Sequence, residues 1–552
     1  VTSDAIAPFS AARAVAVDLA RLPWIRKLAV DYAQDFRALA PFYAGDPADP
    51  QEWRHAVARA RSHERNRDGI AEMIGAQQRR RDAPEAARTA AERLRHSDTV
   101  AVVTGQQAGL FGGPLYTLLK AVMALRLADR AARDLDVPVV AIFWIDAEDH
   151  DWDEVATSIV LDSRDEVRRI TLPRPESAID RAIGHVRLTA GVEAALADLA
   201  AAMGANEFSG PLLAALRGAY APGHTMSDAF GRWLETLLGP LGLVVFDAAD
   251  PAAKTFAGKL FVREIDTAGT ASALAARAGA SLVSRGYHAQ VSPPPASVAL
   301  FHVDAGKRAA IHREDDRFVV GGAIRAAGDL RAEAETSPQR FSPNVLLRPL
   351  VQDTLFPTVC YVGGPSELAY LGQLKDVYAH FGVPMPLIYP RASITLLDSS
   401  TLRFLSRSGV RFESLQPQDE KVLNELLASA LPASVDQTLG EAARTIDERL
   451  AALARAVTEV DPTLEGAARA TQGRIRHELE TFRGKIIQAA KRRDDTLRRQ
   501  FTKSRAQAFP AGQPQERIVG FVHFLNRYGP ALVDRLHAEL PLEIGCHWLM
   551  AI

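Results

Sequence analysis

The chain has 552 residues, 47% hydrophobic and 24% charged, with 65 Lys and Arg against 67 Asp and Glu for a formal net charge of −2. That length exceeds one ordinary core and predicts roughly three to four structural units, while the charge balance lacks the basic excess of a general nucleic-acid coat. Two cysteines, Cys360 and Cys546, cannot build a disulfide framework or a four-thiolate zinc site, and no stretch reaches the ~18 to 20 apolar residues of a membrane span.

The opening "VTSDAIAPFSAARAVAVDLA" has no basic segment ahead of a long apolar one, so a cytoplasmic location is expected, with neither nucleic acid nor membrane as partner. From 51 to about 95 the chain is polar and alanine-rich and reads as helical. Residues 100–103 form a short β-branched strand candidate, 115 to about 134 a helix, and "VPVVAIFWI" at 137–145 a fully buried strand. Strand, glycine loop, helix and strand make a βαβ unit, and the alternation predicts an α/β fold with a doubly wound parallel sheet.

Further buried strands are expected at 241–248, 358–364 and 386–391. "YHAQV", "SVALFHV", "KRAAIH" and "DRFVV" are short turn-separated runs that predict an antiparallel insertion, at about 281–340, and a mixed insertion is expected at about 155–240. After residue 396, Leu439, Ile446, Leu450, Leu453, Val457 and Val460 recur at helical spacing until "DP" at 461–462; Ile475, Leu479, Phe482, Ile486 and Ala489 resume it. Two such helices predict an antiparallel coiled-coil hairpin over 396–510, leaving 511–552 to pack on the core, 1–395, or on a second copy.

At the carboxyl end of a parallel strand, amides and a helix dipole favour an anion. Thr104, Gly105, Gln106, Gln107, Gly109, Gly112 and Gly113 are expected there, either as one wall of a binding site or simply as a tight βα turn. Their spacing matches neither a Walker A loop nor GxGxxG. Lys120 reaches back only if the helix starts late. The second strand leads into "DAEDHDWDEV", where Asp149, His150 and Asp151 are candidates for acid–base work and Asp153 and Glu154 read as ordinary first-turn acids. If 149–154 is helical, Asp149 shares a face with Asp153 and His150 with Glu154. A third group holds Arg348 and Arg391, each either a fork for carboxylate or phosphate or a buried salt bridge. Tyr361, Gly363 and Gly364 are pocket candidates, whereas Ser366 reads as an N-cap, Glu367 as a first-turn acid and Cys360 as a core thiol. His288 is expected on an insertion strand or rim.

"TGQQAGLFGGPLYTLLK", "AIFWIDAEDHDWDEV", "GYHAQV", "RPLVQDTLFPTVCYVGGPSELAYLGQL" and "VHFLNRYGPALVDRL" occur in this order over almost the whole chain. Together they resemble the bacillithiol biosynthesis cysteine-adding enzyme family. The resemblance implies a Rossmann-like core related to class I nucleotidyltransferases, connective insertions and a C-terminal coiled coil, as a homodimer. It also implies a ligase joining the carboxyl of cysteine to the amine of glucosaminyl malate. A free carboxylate does not readily form an amide, so ATP is expected to activate it; the carboxylate-rich cluster at 146–155 could bind the substrate amine, act as a base or hold Mg²⁺ beside a phosphate, no individual residue is assigned as a metal ligand, and neither a HIGH-type nor a KMSKS-type signature is present. On that reading Lys120 or Arg391 compensates developing charge, Asp149 or His150 deprotonates the amine, and Arg348 or Arg391 meets the malyl carboxylates. Another nucleotidyltransferase-like enzyme and a noncatalytic metabolite-binding scaffold stay open beside it.

Overall fold

The computed structural model describes residues 14–552 except 177, 178, 180, 295, 296, 305, 430–432 and 494. Two compact units are present: one of Ala16–Thr395 with Gln515–Leu549, the other of Leu396–Pro514 with residues 14, 15 and 550–552. The first unit is built on five parallel strands, β1 (Val100–Gln107), β2 (Val139–Asp146), β3 (Val244–Asp247), β4 (Thr358–Gly363) and β5 (Leu387–Pro390). Their order is β5-β4-β1-β2-β3, the doubly wound sheet that the alternating pattern predicts. The chain steps outward from β1 through β2 to β3, then returns to the other side of β1 with β4 and β5. Crossovers therefore leave in opposite directions between β1 and β4, which opens a crevice at the carboxyl ends of those strands.

Both faces are covered, as the near-continuous apolar runs require. Successive side chains of β2 take opposite faces: Phe143 packs on Phe230 of the helix Met226–Leu238, at 5.8 Å between ring centroids, while Trp144 packs on Phe246 at 4.9 Å. Ile70 and Ile74, from the helix Arg67–Arg81, join Trp144 and Val103 in one core. The helix after β1, here α1 (Leu115–Leu135), is halted by Asp136 in the left-handed region at φ 53°.

Three local expectations change. First, β1 runs on to Gln107, so Thr104–Gln107 are strand rather than loop. Gly105 is required there by close backbone approach, because a Cβ would stand 2.8 Å from the Trp144 carbonyl oxygen. Second, the loop that follows is folded onto the C-terminal segment: Leu115 N–H donates to Val519 O at 2.8 Å and Phe521 N–H to Gly113 O at 3.1 Å. Gly112, at φ 99°, lies where only glycine is unstrained, and any Cβ would overlap the Phe521 ring. Third, "YHAQV" is not a strand; the Gln290 and Val291 amides both donate to Gln373 Oε1, at 2.8 and 3.0 Å.

The insertion after β2 holds an antiparallel hairpin, Thr157–Leu161 with Val167–Thr171, and the helices Gly191–Met203 and Ser209–Ala219. The one after β3 holds an antiparallel sheet in the order Ala323–Ala326, Arg317–Val320, Lys307–Glu314, Ser297–Asp304, Phe341–Pro343. In the second unit, Ala433–Val460 and Leu464–Arg493 are long helices joined at Asp461, whose carboxylate accepts from the Thr463 amide at 2.8 Å. Arg476 and Gln472 both reach Asp447 across the pair, at 2.6 and 3.0 Å, while Leu453, Val460 and Phe482 stay exposed.

Candidate active site

At the switch point the carboxyl ends of β1, β2 and β4 open into a cleft of about 610 Å³. From β1 come Gly105, Gln106 and Gln107, and from β2 comes Asp146, paired in register with Gln107. Tyr361 comes from β4, Gly364 and Glu367 from the turn into the helix α2 (Pro365–Leu371), and Arg348 opens the helix Arg348–Leu355.

Lys120 and Glu367 form the floor. Helical Cβ bonds tilt toward the N-terminus, so Lys120 reaches back although α1 begins at Leu115 and not later. Its Nζ donates to Gly105 O at 2.8 Å and to Gln106 Oε1 at 3.1 Å, and it ion-pairs with Glu367. Glu367 also accepts from the Gly364 amide at 2.7 Å and the Tyr361 hydroxyl at 2.5 Å. Burial pulls the Lys120 ammonium below its ordinary pKa. On Glu367 burial pushes upward, but the charge and hydrogen bond of Lys120 with the hydrogen bonds from Tyr361 and the Gly364 amide together outweigh it and hold the carboxyl below its usual range. The expected N-cap role of Ser366 falls to Gly364, and Glu367 is at once the first-turn acid and the centre of the cleft floor.

Arg348 is buried, donating to Tyr370 Oη at 2.9 Å and to Gln352 Oε1 at 3.3 Å, with its Nε 3.8 Å from Asp146. Burial raises the pKa of Asp146. Arg308, from the inserted sheet, donates to Glu148 O at 3.0 Å and to Pro343 O at 3.1 Å while lying 4.1 Å over the Phe301 ring. Glu148 itself turns to Lys254, 2.5 Å away.

The acidic segment divides. Asp149 and His150 line the cleft, with Asp149 Oδ1 accepting from the His150 amide at 2.7 Å. Asp151 is instead the N-cap of the short helix Trp152–Val155, accepting from Glu154 N–H at 3.3 Å. Because that helix starts only at Trp152, the pairings of Asp149 with Asp153 and of His150 with Glu154 on shared helix faces do not form. Glu154 faces the cleft and accepts from Gln107 Nε2 at 2.7 Å.

Other expected members belong elsewhere. Thr104 is buried within β1 and donates to Val362 O at 2.9 Å. The loop amides are engaged at home: Gly109 N–H donates to Gln107 O, Gly112 N–H to Gly109 O and Tyr220 Oη, and Gly113 N–H to Leu110 O. Gly112 and Gly113 therefore form a packed βα turn and not an anion cradle. Gly363 accepts from the Arg391 amide at 2.8 Å and lines a smaller pocket that shares Pro365, Arg391 and Arg517 with the cleft. Arg391 borders the cleft but is spent on a protein carboxylate, meeting Glu516 through both Nη atoms at 2.9 and 2.8 Å. It is the buried salt bridge of the two roles expected for it. Cys360 is fully buried in β4, where burial pushes its thiol up, so it is a core thiol and no nucleophile. His288, off the cleft lining, faces Gln290 Oε1 at 3.2 Å.

The Glu516 carboxylate also accepts from Ile394 N–H at 2.8 Å and Ser393 Oγ at 3.1 Å, and Ser393 and Thr395 flank the buried His547 at 2.7 and 2.8 Å. Burial pushes His547 down to about 4, whereas an unfolded imidazole takes its proton below about 6.5. Between those values the unfolded chain binds the extra proton. The His547 contribution to stability is thus complete above pH 6.5, is lost as pH falls toward 4, and is on the order of 3 kcal/mol. Urea unfolding between pH 4 and 7 is expected to show this slope in the native protein and a shallower one in His547→Gln.

Tyr116, Glu154, Arg308, Glu367 and Arg517 also line the cleft and are not among the site residues expected from sequence. Glu154 and Glu367 stand next to recognised motif residues; Arg308 and Arg517 lie in unremarkable insertion and C-terminal segments. The parallel sheet, its switch point and the polar cleft there define a Rossmann-like α/β protein with a small-molecule site. The chain belongs to the BshC family of bacillithiol biosynthesis: the family's N-terminal Rossmann-like domain matches residues 15–392 and its C-terminal coiled-coil domain residues 394–552. A relative from Salinibacter ruber is 36% identical over 528 residues, covering 95% of this chain and 96% of its own. One from Chlorobaculum tepidum is 34% identical over 536 residues (92% and 94%), and one from Geobacillus thermodenitrificans 29% identical over 540 residues (96% and 99%). Each bears the name "Putative cysteine ligase BshC".

Proposed function

We propose that the cleft joins the carboxyl of cysteine to the amine of glucosaminyl malate, with ATP activating the carboxyl. The observation that carries this reading is the polarity of the cleft. Asp149, His150 and Glu154 gather beyond the end of β2, while Arg308, Arg348 and Arg517 supply positive charge elsewhere in the lining, where Lys120 is matched by Glu367 and Arg348 faces Asp146. An amine entering the acidic side meets groups able to hold its ammonium form and take its proton, leaving the neutral nucleophile. Carboxylate and phosphate oxygens are drawn to the cationic side. Arg348, fixed by Tyr370 and Gln352, suits recognition of a substrate carboxylate.

The chemistry has two balanced forms. The cysteine carboxylate displaces pyrophosphate from ATP to give an acyl adenylate, or displaces ADP to give an acyl phosphate. Amine attack on the acyl carbon then expels AMP or inorganic phosphate with loss of one proton. Mass spectrometry of the purified protein with cysteine, glucosaminyl malate, ATP and Mg²⁺, beside a reaction without ATP, tests this. Bacillithiol with equimolar AMP is the expected result, and ADP in its place selects the acyl phosphate. Bacillithiol formed equally without ATP overturns the activation step, and no product from folded protein overturns the assignment to these substrates.

A further inference from the structure

Most cations lining the cleft are already committed. Lys120 is held by Glu367, Arg308 by two carbonyls, Arg348 by Tyr370 and Gln352, and Arg391 by Glu516. Arg517 is different: it is exposed, lines the cleft, and has no hydrogen-bond or ion-pair partner among the described residues. Its backbone is nevertheless anchored, because the preceding residue, Glu516, is clamped by Arg391, Ser393 and Ile394.

A second donor sits beside it. The Lys120 ammonium has only donors to offer, so the Gln106 atom facing it at 3.1 Å is the carbonyl oxygen. That turns Gln106 Nε2 to Tyr116, 3.3 Å from the phenol oxygen. The phenol oxygen therefore accepts, and its own hydrogen has no acceptor among the described residues. Burial raises the Tyr116 pKa and keeps that hydrogen in place; the charges of Arg391, Glu154, Glu367 and, least of these, Arg517 also act on the phenol, and Tyr116 and Arg517 line the same cleft. Arg391 fixes the ring from one side, 5.4 Å from its centroid. Each link from Lys120 through Gln106 to Tyr116 polarises the next, which strengthens the terminal O–H as a donor.

We propose that the Tyr116 hydroxyl and the Arg517 guanidinium form an oxyanion subsite of the cleft, occupied by a carboxylate or phosphate group of a bound substrate. The inference rests on the ligase reading for its choice of substrates, and the residues themselves specify only the oxyanion. Isothermal titration of the full chain with glucosaminyl malate and with ATP, for the native protein, Arg517→Gln, Arg517→Lys and Tyr116→Phe, tests it. A charge-assisted hydrogen bond lost from each variant predicts weakening of roughly ten- to a hundredfold. Arg517→Lys is expected to fall between the native protein and Arg517→Gln, since it keeps the charge and loses the fork.

Loss confined to glucosaminyl malate assigns a carboxylate to the subsite, and loss confined to ATP assigns a phosphate. Unchanged affinity for both probes overturns the subsite. So does equal weakening of both by Arg517→Gln with Tyr116→Phe silent, since that reports only a diffuse field. If the native protein binds neither probe, the ligase reading fails separately; malate and tripolyphosphate then decide the subsite, which falls if neither binds in a manner dependent on Tyr116 and Arg517.

Discussion

Lys120→Met is expected to lower turnover by roughly 10²–10³-fold, the loss typical when one preorganised electrostatic group is removed from an active site. Lys120 is 2% exposed and ties the end of β1, through Gly105 O and Gln106 Oε1, to Glu367 at the start of α2. Its removal leaves the half-buried Glu367 beside Tyr361 without a counter-charge, so stability also falls. Breaking a buried pair typically costs about 3–5 kcal/mol, and the lower end is expected here because the Glu367 side chain keeps 21% of its surface exposed. Lys120→Met with Glu367→Gln removes both charges and is expected to regain part of the stability without the activity. Urea unfolding and steady-state turnover of the single and double variants separate these effects. A single variant as stable as the native protein would show that the floor does not depend on this pair.

Glu516→Gln carries the second large effect, a loss of about 3–5 kcal/mol for one partner of a fully buried pair. The Arg391 and Glu516 side chains are 7% and 5% exposed. The carboxylate accepts four hydrogen bonds, from both Arg391 Nη atoms, the Ile394 amide and Ser393 Oγ, and an amide group offers one oxygen where two are needed. Arg391 would be left at the cleft margin with an uncompensated charge. At the next residue, Arg517→Gln is expected to change stability by no more than about 0.5 kcal/mol, as for an ordinary surface substitution. Thermal or urea unfolding of the two variants side by side checks the contrast, and similar losses at both positions would refute it.

The sheet was legible because its signals are local. Residues 137–145 and 358–364 are apolar runs too short for helices, and 115–134 carries helical spacing directly after a glycine loop. The site was legible by position, since β1, β2 and β4 deliver polar groups to one edge, but individual roles depend on distant partners. The glycine loop looks like an anion cradle until Val519 and Phe521, about 400 residues away, are seen bound to it. Arg391 looks free until Glu516, 125 residues later, fills its fork. Asp151 and Glu154 exchanged expected parts because a helix start three residues later than 149 makes Asp151 the cap and turns Glu154 to the cleft. Arg517 has no local signature at all; only the enclosure of its neighbours makes an exposed arginine informative.

The enclosure of the floor beside the openness of the rim has a consequence for how the cleft answers ionic strength. Mobile ions screen exposed charges over a Debye length of about 8 Å at physiological salt, and reach buried pairs much less. Lys120 and Glu367 are in contact within the protein, whereas Arg517 stands in solvent. Added salt should leave the framework of the cleft intact while weakening attraction at its margin, so occupancy will be lost before shape.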